Sequence, residues 1–267
     1  MKGKSSARIR AVLAAQQRCL EEHRTVETPR DVHRSRVATR RIRTIARATR
    51  PIVGDVLVPV EEELRWFATV LGAVRDLDVL LDHLRPQVET LDDDGDGAKL
   101  VAAALERQRL FRNKELKAAI ESPRYDALLE SLASAIASIP ASDQPLAPFA
   151  GRELGKLRRA AAQLNGAQSD GAVHALRIRA KRARYVAELV GGAKSARAAR
   201  ALARVQELAG THQDAVVAEE RLRGLSRPKT AVAVGRLIER ERFRKGAQRA
   251  ALPAALETAL RAGRDAF

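Results

Sequence analysis

Two stretches of this chain combine an apolar helical face with a row of basic residues on another face. In residues 32–50, apolar side chains recur at the helical period, and Ala38, Ile42 and Ile45 fall together on one side. At about 100° per residue, the basic positions fall on another side. The first basic row is His33, Arg36, Arg40, Arg43 and Arg47, and a second basic row, in residues 173–188, is His174, Arg177, Lys181 and Arg184. Each stretch is therefore predicted to form a helix that buries one face and presents cations on another.

The rest of the chain shows the same helical period, and no segment alternates apolar and polar residues as a half-buried strand does. Ahead of the first basic row, Thr28 can cap a helix, Pro29 suits its first position, and Asp31 can close a capping box. Ser169 or Asp170 can cap the second basic helix. The fold is predicted to be all-α, with further helices at residues 7–24, 61–84, 99–120, 123–139 and 152–164, a break at 51–59, a loop at 92–97 and a turn at 165–171.

The second half of the chain repeats features of the first half in the same order. The repeated features are the basic rows, with His33 and His174 141 residues apart, then residues 71–79 and 209–217 at an offset of 138, and residues 105–110 and 238–243 at an offset of 133. Three echoes in the same order indicate an internal duplication. We therefore expect two helical bundles related by approximate twofold symmetry. Their expected bounds are residues 7–140 and 152–262, with a proline-rich linker at 141–151.

Composition adds a strong positive charge to this helical prediction. The 267 residues include 49 Lys and Arg against 33 Asp and Glu, which gives a formal net charge of +16 and a pI of about 11.0. Such a surplus indicates a polyanionic partner: nucleic acid, an anionic membrane or another polyanion. Aromatic residues make up only 3% of the chain, so the stacking that holds single-stranded nucleic acid is poorly supplied. Phosphate contacts, in contrast, need only Lys and Arg.

The sequence also indicates a compartment. Cys19 is the only cysteine, so an internal disulfide is impossible and the cytoplasm is the natural location. The early apolar run at residues 11–15 is too short for a signal peptide. No run of about 18 apolar residues is present that could span a membrane. We therefore expect a cytoplasmic protein without a membrane-spanning segment.

The basic rows can be interpreted as ordinary solvated helix faces or as a ligand site. Solvated faces usually mix acids and bases at i,i+4 spacing, but no acidic residue lies between His33 and Arg50. Like charges along this row repel each other, and an anion would neutralise them. Because Arg donates paired hydrogen bonds to phosphate oxygens, a phosphate polymer suits the rows.

The residues resemble a known family. The motif His-x-x-Arg-Val-x-x-Arg-Arg-x-Arg, the later Leu-Gly-x-x-Arg-Asp segment and their repetition are similar to the CHAD family, the conserved histidine α-helical domain. The resemblance covers residues 7–262 and implies two helical bundles, in one compact unit, around a basic central groove or pore that binds inorganic polyphosphate. Some members are fused to a triphosphate-processing domain, but its Glu-x-Glu-x-Lys signature is absent here, so no catalytic role is carried over. Other members are linked to polyphosphate or polyhydroxyalkanoate granules.

The resemblance assigns polyphosphate ligands at every position of both basic rows except Arg47, which the helical stripe adds. Lys181 stands where the first copy has Arg, which keeps the charge but loses the planar fork. Glu188 stands where the first copy has Arg47, so the second row is expected to be shorter. Further candidate contacts on other helices, whose facing the sequence does not define, are Arg8, Arg18, Arg107, Lys114, Arg159 and Arg240.

Two pairs of residues could instead indicate metal or catalytic chemistry. His33 and His174 each lack a second His, Cys or carboxylate at i+3 or i+4, so a hydrogen bond to phosphate or to a partner helix is favoured over a metal site. Asp76 and Asp214 could form a carboxylate pair for metal-assisted hydrolysis, or each could orient one basic-row side chain. The family resemblance supports the orienting role. Residues 92–97 resemble a calcium loop only superficially, because the twelfth position is not Glu. No metal or cofactor is expected.

The predicted function is non-catalytic capture of inorganic polyphosphate in a narrow channel formed by both basic rows. The first alternative is an interaction protein on storage granules. A second is nucleic-acid binding, for which no helix-turn-helix or RNA-binding signature is present. A third is an enzyme acting on phosphoanhydrides, for which the sequence offers no arrangement of nucleophile and base.

Overall fold

A computed structural model of the protein describes residues 3–91, 96–165 and 169–267. In these residues the chain forms α-helices and one short 3-10 turn, Gln163–Asn165, and no strand. The helices are α1 (Lys4–Glu22), α2 (Pro29–Val53), α3 (Glu61–Glu89), α4 (Gly97–Ile120), α5 (Pro123–Ala137), α6 (Ala147–Ala162), α7 (Asp170–Val190), α8 (Ala193–Gly224) and α9 (Ala231–Arg264). The all-α prediction is therefore confirmed, while the internal duplication and the domain bounds stay predictions.

The two basic helices, α2 and α7, begin at the predicted caps. The Asp31 amide donates to Thr28 Oγ1 at 3.3 Å, and the Thr28 amide donates to Asp31 Oδ2 at 2.9 Å, which completes the capping box. At α7, the Ala172 amide donates to Ser169 Oγ at 3.2 Å. Asp170 takes no part in the cap and instead binds basic side chains of α9. Parts of the predicted loop at 92–97 and turn at 165–171, namely residues 92–95 and 166–168, lie outside the described residues.

Three predicted element bounds differ from the structure. α2 passes through Pro51 and ends at Val53, because a proline costs less in a last turn that is followed by Gly54 at φ 70°. α3 continues past Leu84 to Glu89. α6 begins at Ala147, inside the segment predicted as a linker, because Pro148 suits the first turn of a helix.

Buried apolar side chains form three clusters that hold the two halves of the chain together. One joins α1, α2, α5 and the first half of α3, and a second joins α6, α7, the first half of α8 and the end of α9. The third combines both halves of the chain: the second half of α3 and the start of α4 pack against the end of α8 and the start of α9. This shared cluster brings α3 and α8 together beside α2 and α7.

The basic helices use their apolar faces as predicted. Ala38, Ile42 and Ile45 of α2 are fully buried, as is Leu176 of α7. α2 also contacts α7 directly, and an ion pair between Arg41 and Glu188 joins the two helices. With one face of each helix fixed in a core, the basic faces are held in defined directions.

Candidate anion-binding site

The two basic rows meet at one cavity of about 450 Å³. Its wall includes three residues of the first row and three of the second: His33, Arg36, Arg40, His174, Arg177 and Lys181. α3, α8 and α9 supply the rest of the wall. Rows that lie 141 residues apart in the sequence therefore face the same enclosed space.

The cavity wall carries more cations than carboxylates. Six side chains are Lys or Arg and three are Asp or Glu. The cations are Arg36, Arg40, Arg75, Arg177, Lys181 and Arg244, and the carboxylates are Asp76, Glu207 and Asp214. An enclosed wall with this imbalance favours a negatively charged occupant.

Most of the cavity cations lack a protein partner. Arg36 donates from Nη2 to Asp76 Oδ1 at 3.0 Å, and Arg244 donates from Nη1 to Glu241 Oε2 at 3.3 Å. The other four, Arg40, Arg75, Arg177 and Lys181, make no hydrogen bond or ion pair with any residue that the structure describes. Arginine and lysine are rarely buried without a partner, so these four donors are free to bind an anion.

The pKa values in the cavity follow from burial and crowding of positive charge. Burial, followed by the charges of Arg40, Arg177 and Arg36, lowers the pKa of Lys181 to about 7. Burial is also the main cause of a lowered pKa for Arg36 and Arg40. The pKa of His33 is lowered by burial and then by nearby guanidinium groups. Each shift means that the empty cavity disfavours further positive charge, a penalty that an anion would remove.

The two aspartates proposed from sequence have different surroundings. Asp76 accepts the Arg36 hydrogen bond, as expected of an orienting carboxylate. Asp214 makes no hydrogen bond or ion pair with the described residues, and burial raises its pKa. Asp214 also lies close enough to Arg177 for that guanidinium to oppose the shift.

The two histidines also differ in their contacts. His174 Nδ1 lies 2.8 Å from Gln213 Oε1, so that ring nitrogen donates and holds the imidazole against α8. His33 has no hydrogen-bond partner among the described residues. The sequence reading that each histidine could bond a partner helix therefore describes His174 but not His33.

Glycines on α3 and α8 make room for one arginine from each row. A Cβ added at Gly72 would lie within 3.0 Å of Arg36 Nη1, closer than Cβ atoms come to a neighbour. A Cβ added at Gly210 would lie 3.7 Å from Arg177 Nε, an ordinary contact. Gly72 therefore fixes the place of the Arg36 guanidinium more strictly than Gly210 fixes that of Arg177.

Three residues of the predicted rows do not line the cavity. Arg47 is ion-paired with Glu61 at 3.3 Å, and Arg184 is ion-paired with Glu188 at 2.8 Å. Arg43 lies beyond the cavity wall on α2. The further candidates also lie outside the cavity wall: Arg8, Arg18, Arg107, Lys114, Arg159 and Arg240. Of these, Arg240 is held at the far end of α3, where it donates to the Gln87 carbonyl at 3.1 Å.

Sequence reasoning missed three polar side chains of the cavity, which are Arg75, His83 and Arg244. Arg75 directly precedes Asp76 in the Leu-Gly-x-x-Arg-Asp segment, so this motif could have identified it. His83 is positioned by Glu241 of α9, a contact between residues far apart in sequence. Nothing in the local sequence distinguishes Arg244 from the other arginines of α9.

Metal and membrane signals were searched in the described part of the chain. No group of three or more His, Cys, Asp or Glu side chains there could hold a metal ion. No helix there is long and apolar enough to cross a membrane.

The fold and cavity define an all-α protein in which two basic helices share one cavity. The chain belongs to the CHAD domain family, whose family model matches residues 7–223. Two Mycobacterium tuberculosis proteins, uncharacterized protein MT2285 (strain CDC 1551 / Oshkosh) and uncharacterized protein Rv2226 (strain ATCC 25618 / H37Rv), are each 32% identical over 206 residues, or 72% of this chain. The chain spans 39% of the length of these relatives.

Two solved structures share the fold. The crystal structure of the CHAD domain from the plant Ricinus communis matches with a TM-score of 0.77 and 27% identity, covering 100% of this chain and 93% of that chain. PptA from Streptomyces chartreusis matches with a TM-score of 0.77 and 22% identity, covering 96% of this chain and 100% of that chain. The helical architecture is therefore shared over essentially the whole chain.

Proposed function

We propose that this protein binds inorganic polyphosphate, without catalysing its turnover, in the cavity where the two basic rows meet. The observation that carries the proposal is the set of four unpaired cations in one enclosed wall: Arg40, Arg75, Arg177 and Lys181. Membership of the CHAD family supports a polyphosphate-related role. The absence of a Glu-x-Glu-x-Lys signature from the sequence supports the non-catalytic part of the proposal.

The chemistry of the wall suits a bare phosphate chain. Guanidinium groups donate paired, charge-assisted hydrogen bonds to phosphate oxygens, and the chain has a negative charge on every repeat. A cavity of about 450 Å³ is in the size range of small-ligand pockets, so it has no room for a nucleic-acid duplex. Size and charge together would select polyphosphate over DNA.

Calorimetric titration with long-chain polyphosphate at two salt concentrations tests the proposal. If at least four cations neutralise phosphates, log Kd should rise with log salt with a slope of roughly 3 or more, at roughly 0.7–0.9 per cation. Duplex DNA at equal phosphate concentration should compete poorly, and no phosphate should be released with or without Mg²⁺. Absence of heat at low salt, or equal competition by DNA, would contradict the proposal.

The two cavity glycines give a matched pair of variants. Gly72→Ala should weaken polyphosphate binding by roughly tenfold, the equivalent of one hydrogen bond to a charged group, because Arg36 must move and lose its bond to Asp76. Gly210→Ala, the same change with room for the new methyl group, should leave binding unchanged and raise stability by about 0.5–1 kcal/mol. Calorimetry and thermal unfolding measure both effects. Equal binding by the two variants would show that Gly72 does not position Arg36 for the ligand.

A further inference from the structure

Beyond the cavity, the α2–α3 helix pair places two unpaired arginines opposite each other. Its antiparallel register is fixed at two points: Gly72 lies against the Arg36 guanidinium, and Arg47 is ion-paired with Glu61. Arg43 is seven residues after Arg36, and Arg65 is seven residues before Gly72. Seven residues are about two helical turns, so both side chains return to the same faces and oppose each other.

These arginines and one from α7 form a cluster of free cations outside the cavity wall. The outer arginine cluster, as we call it, consists of Arg43, Arg65 and Arg182. None of the three makes a hydrogen bond or ion pair with a residue in the described ranges, and Arg43 Nε is buried without a partner. Burial first, and then Arg47, Arg65 and Arg182, lower the pKa of Arg43, which places these guanidinium groups near one another.

The acids next to the outer arginine cluster are already occupied. Glu61, which lies near Arg43, is bound by Arg47 at 3.3 Å. Glu153, which lies near Arg182, is bound by Lys156 at 2.5 Å. The cluster therefore keeps an excess of positive charge that the protein does not neutralise.

The corresponding place on the α7–α8 pair has no such excess. There Gly210 lies beside Arg177, and seven residues along each helix bring Arg184 opposite Ala203. Arg184 is already ion-paired with Glu188 at 2.8 Å. The two ends of the cavity region therefore differ, and the surplus of free arginine lies on the α2–α3 side.

We propose that the outer arginine cluster is a second phosphate subsite, which a chain leaving the cavity reaches, and that it makes the protein prefer long polyphosphate over short oligophosphates. This proposal rests on the proposed function of the cavity. Along α2, Arg43 lies on the order of 10 Å from Arg36 at 1.5 Å per residue. A short chain that fills the cavity leaves the cluster empty. A longer chain occupies both places, and the second contact is intramolecular and therefore adds affinity.

The test compares tripolyphosphate with long-chain polyphosphate on the full chain. Arg43→Gln combined with Arg65→Gln should weaken long-chain binding on the order of tenfold and reduce the salt slope by roughly 1.5, since two phosphate-neutralising cations are lost. Tripolyphosphate binding should stay within about twofold of wild type, because the cavity wall is intact. Thermal unfolding should show no loss of stability, since the change removes two apposed like charges.

Arg184→Gln is the matched control, because Arg184 occupies the corresponding place but is held by Glu188. It should leave the ratio of long-chain to tripolyphosphate affinity unchanged. Wild-type binding of the long chain by the double variant would overturn the proposal, as would an equal loss for both ligands. If wild-type protein binds neither ligand, the proposed function of the cavity fails as well, so the two failures are distinguishable.

Discussion

Replacing Arg36 and Arg40 with alanine is expected to weaken long-chain polyphosphate binding by about 100-fold or more. Both side chains line the cavity wall, and Arg40 has no partner among the described residues. Each hydrogen bond between a guanidinium and a charged oxygen contributes about 1.5 kcal/mol or more. Two of them correspond to about 100-fold in Kd. Isothermal titration calorimetry at low salt measures the change.

A double variant with the same loss of charge serves as the control. Arg112 and Arg261 are exposed and are paired with glutamates on their own helices, Glu115 and Glu257. Arg112→Ala combined with Arg261→Ala should bind within a few-fold of wild type, because only the long-range attraction of the net charge is reduced. If both double variants lose affinity equally, binding depends on net charge, and the cavity is not the site.

The same cavity variant distinguishes the granule alternative in cells. If the protein reaches polyphosphate granules through bound polymer, fluorescently labelled Arg36→Ala, Arg40→Ala protein should be diffuse. A granule-coating protein would instead use exposed apolar side chains, and Phe111 of α4 and Phe243 of α9 are 59% and 83% exposed. Retained localisation of the cavity variant would therefore favour the granule-coating alternative.

The sequence predicted the parts of the site that lie on single helices. Because the helical period is local, the stripe from His33 to Arg40 could be assigned before any packing was known. The convergence of the two rows depended on the tertiary packing of α2 and α7 with α3 and α8. The predictions on the six further basic residues had no such basis, since a helix face is defined only by what packs against it. The same reason explains why Arg244 was missed.

Ion pairs also limited what the sequence could predict about the rows. Arg43 and Arg47 lie on one stripe, yet Arg47 is held by Glu61 of α3 and Arg43 has no partner in the described structure. The absence of acids within residues 33–50 hid this difference, because the neutralising carboxylate comes from another helix. A row read from one helix therefore gives the positions of the cations but not which of them are free.

Lys181 is expected to make polyphosphate binding depend on pH above neutrality. Burial and then Arg40, Arg177 and Arg36 lower its pKa to about 7, from 10.5. Between these two values the unfolded chain binds more protons than the folded protein, so stability gains from this group as pH rises through that window. A bound polyanion favours the charged amine and raises its pKa again. Binding should therefore take up a proton, and affinity should fall as pH rises above 7.

The expected size of this effect is up to about tenfold per pH unit between pH 7 and 9. His33 does not contribute there, because its pKa is lowered below 6.5 and it stays neutral. Lys181→Arg keeps the charge over this whole range, so its affinity should be nearly independent of pH. Lys181→Met should bind more weakly than wild type at pH 7, again with little pH dependence, because it has no proton to gain.

Titrations at pH 8 in two buffers with different ionisation enthalpies measure the proton uptake directly. Wild-type protein should show a buffer-dependent binding enthalpy that corresponds to net uptake, and both Lys181 variants should show much less. The interior phosphates of a long chain remain ionised throughout this range, so the ligand adds little to the signal. An equal pH slope in wild type and Lys181→Arg would contradict the assignment, since it would place the titrating group elsewhere. The combination of a flat slope with full affinity in Lys181→Arg would instead show that the cavity needs a charge at this position and that the wild-type amine acquires it only when phosphate arrives.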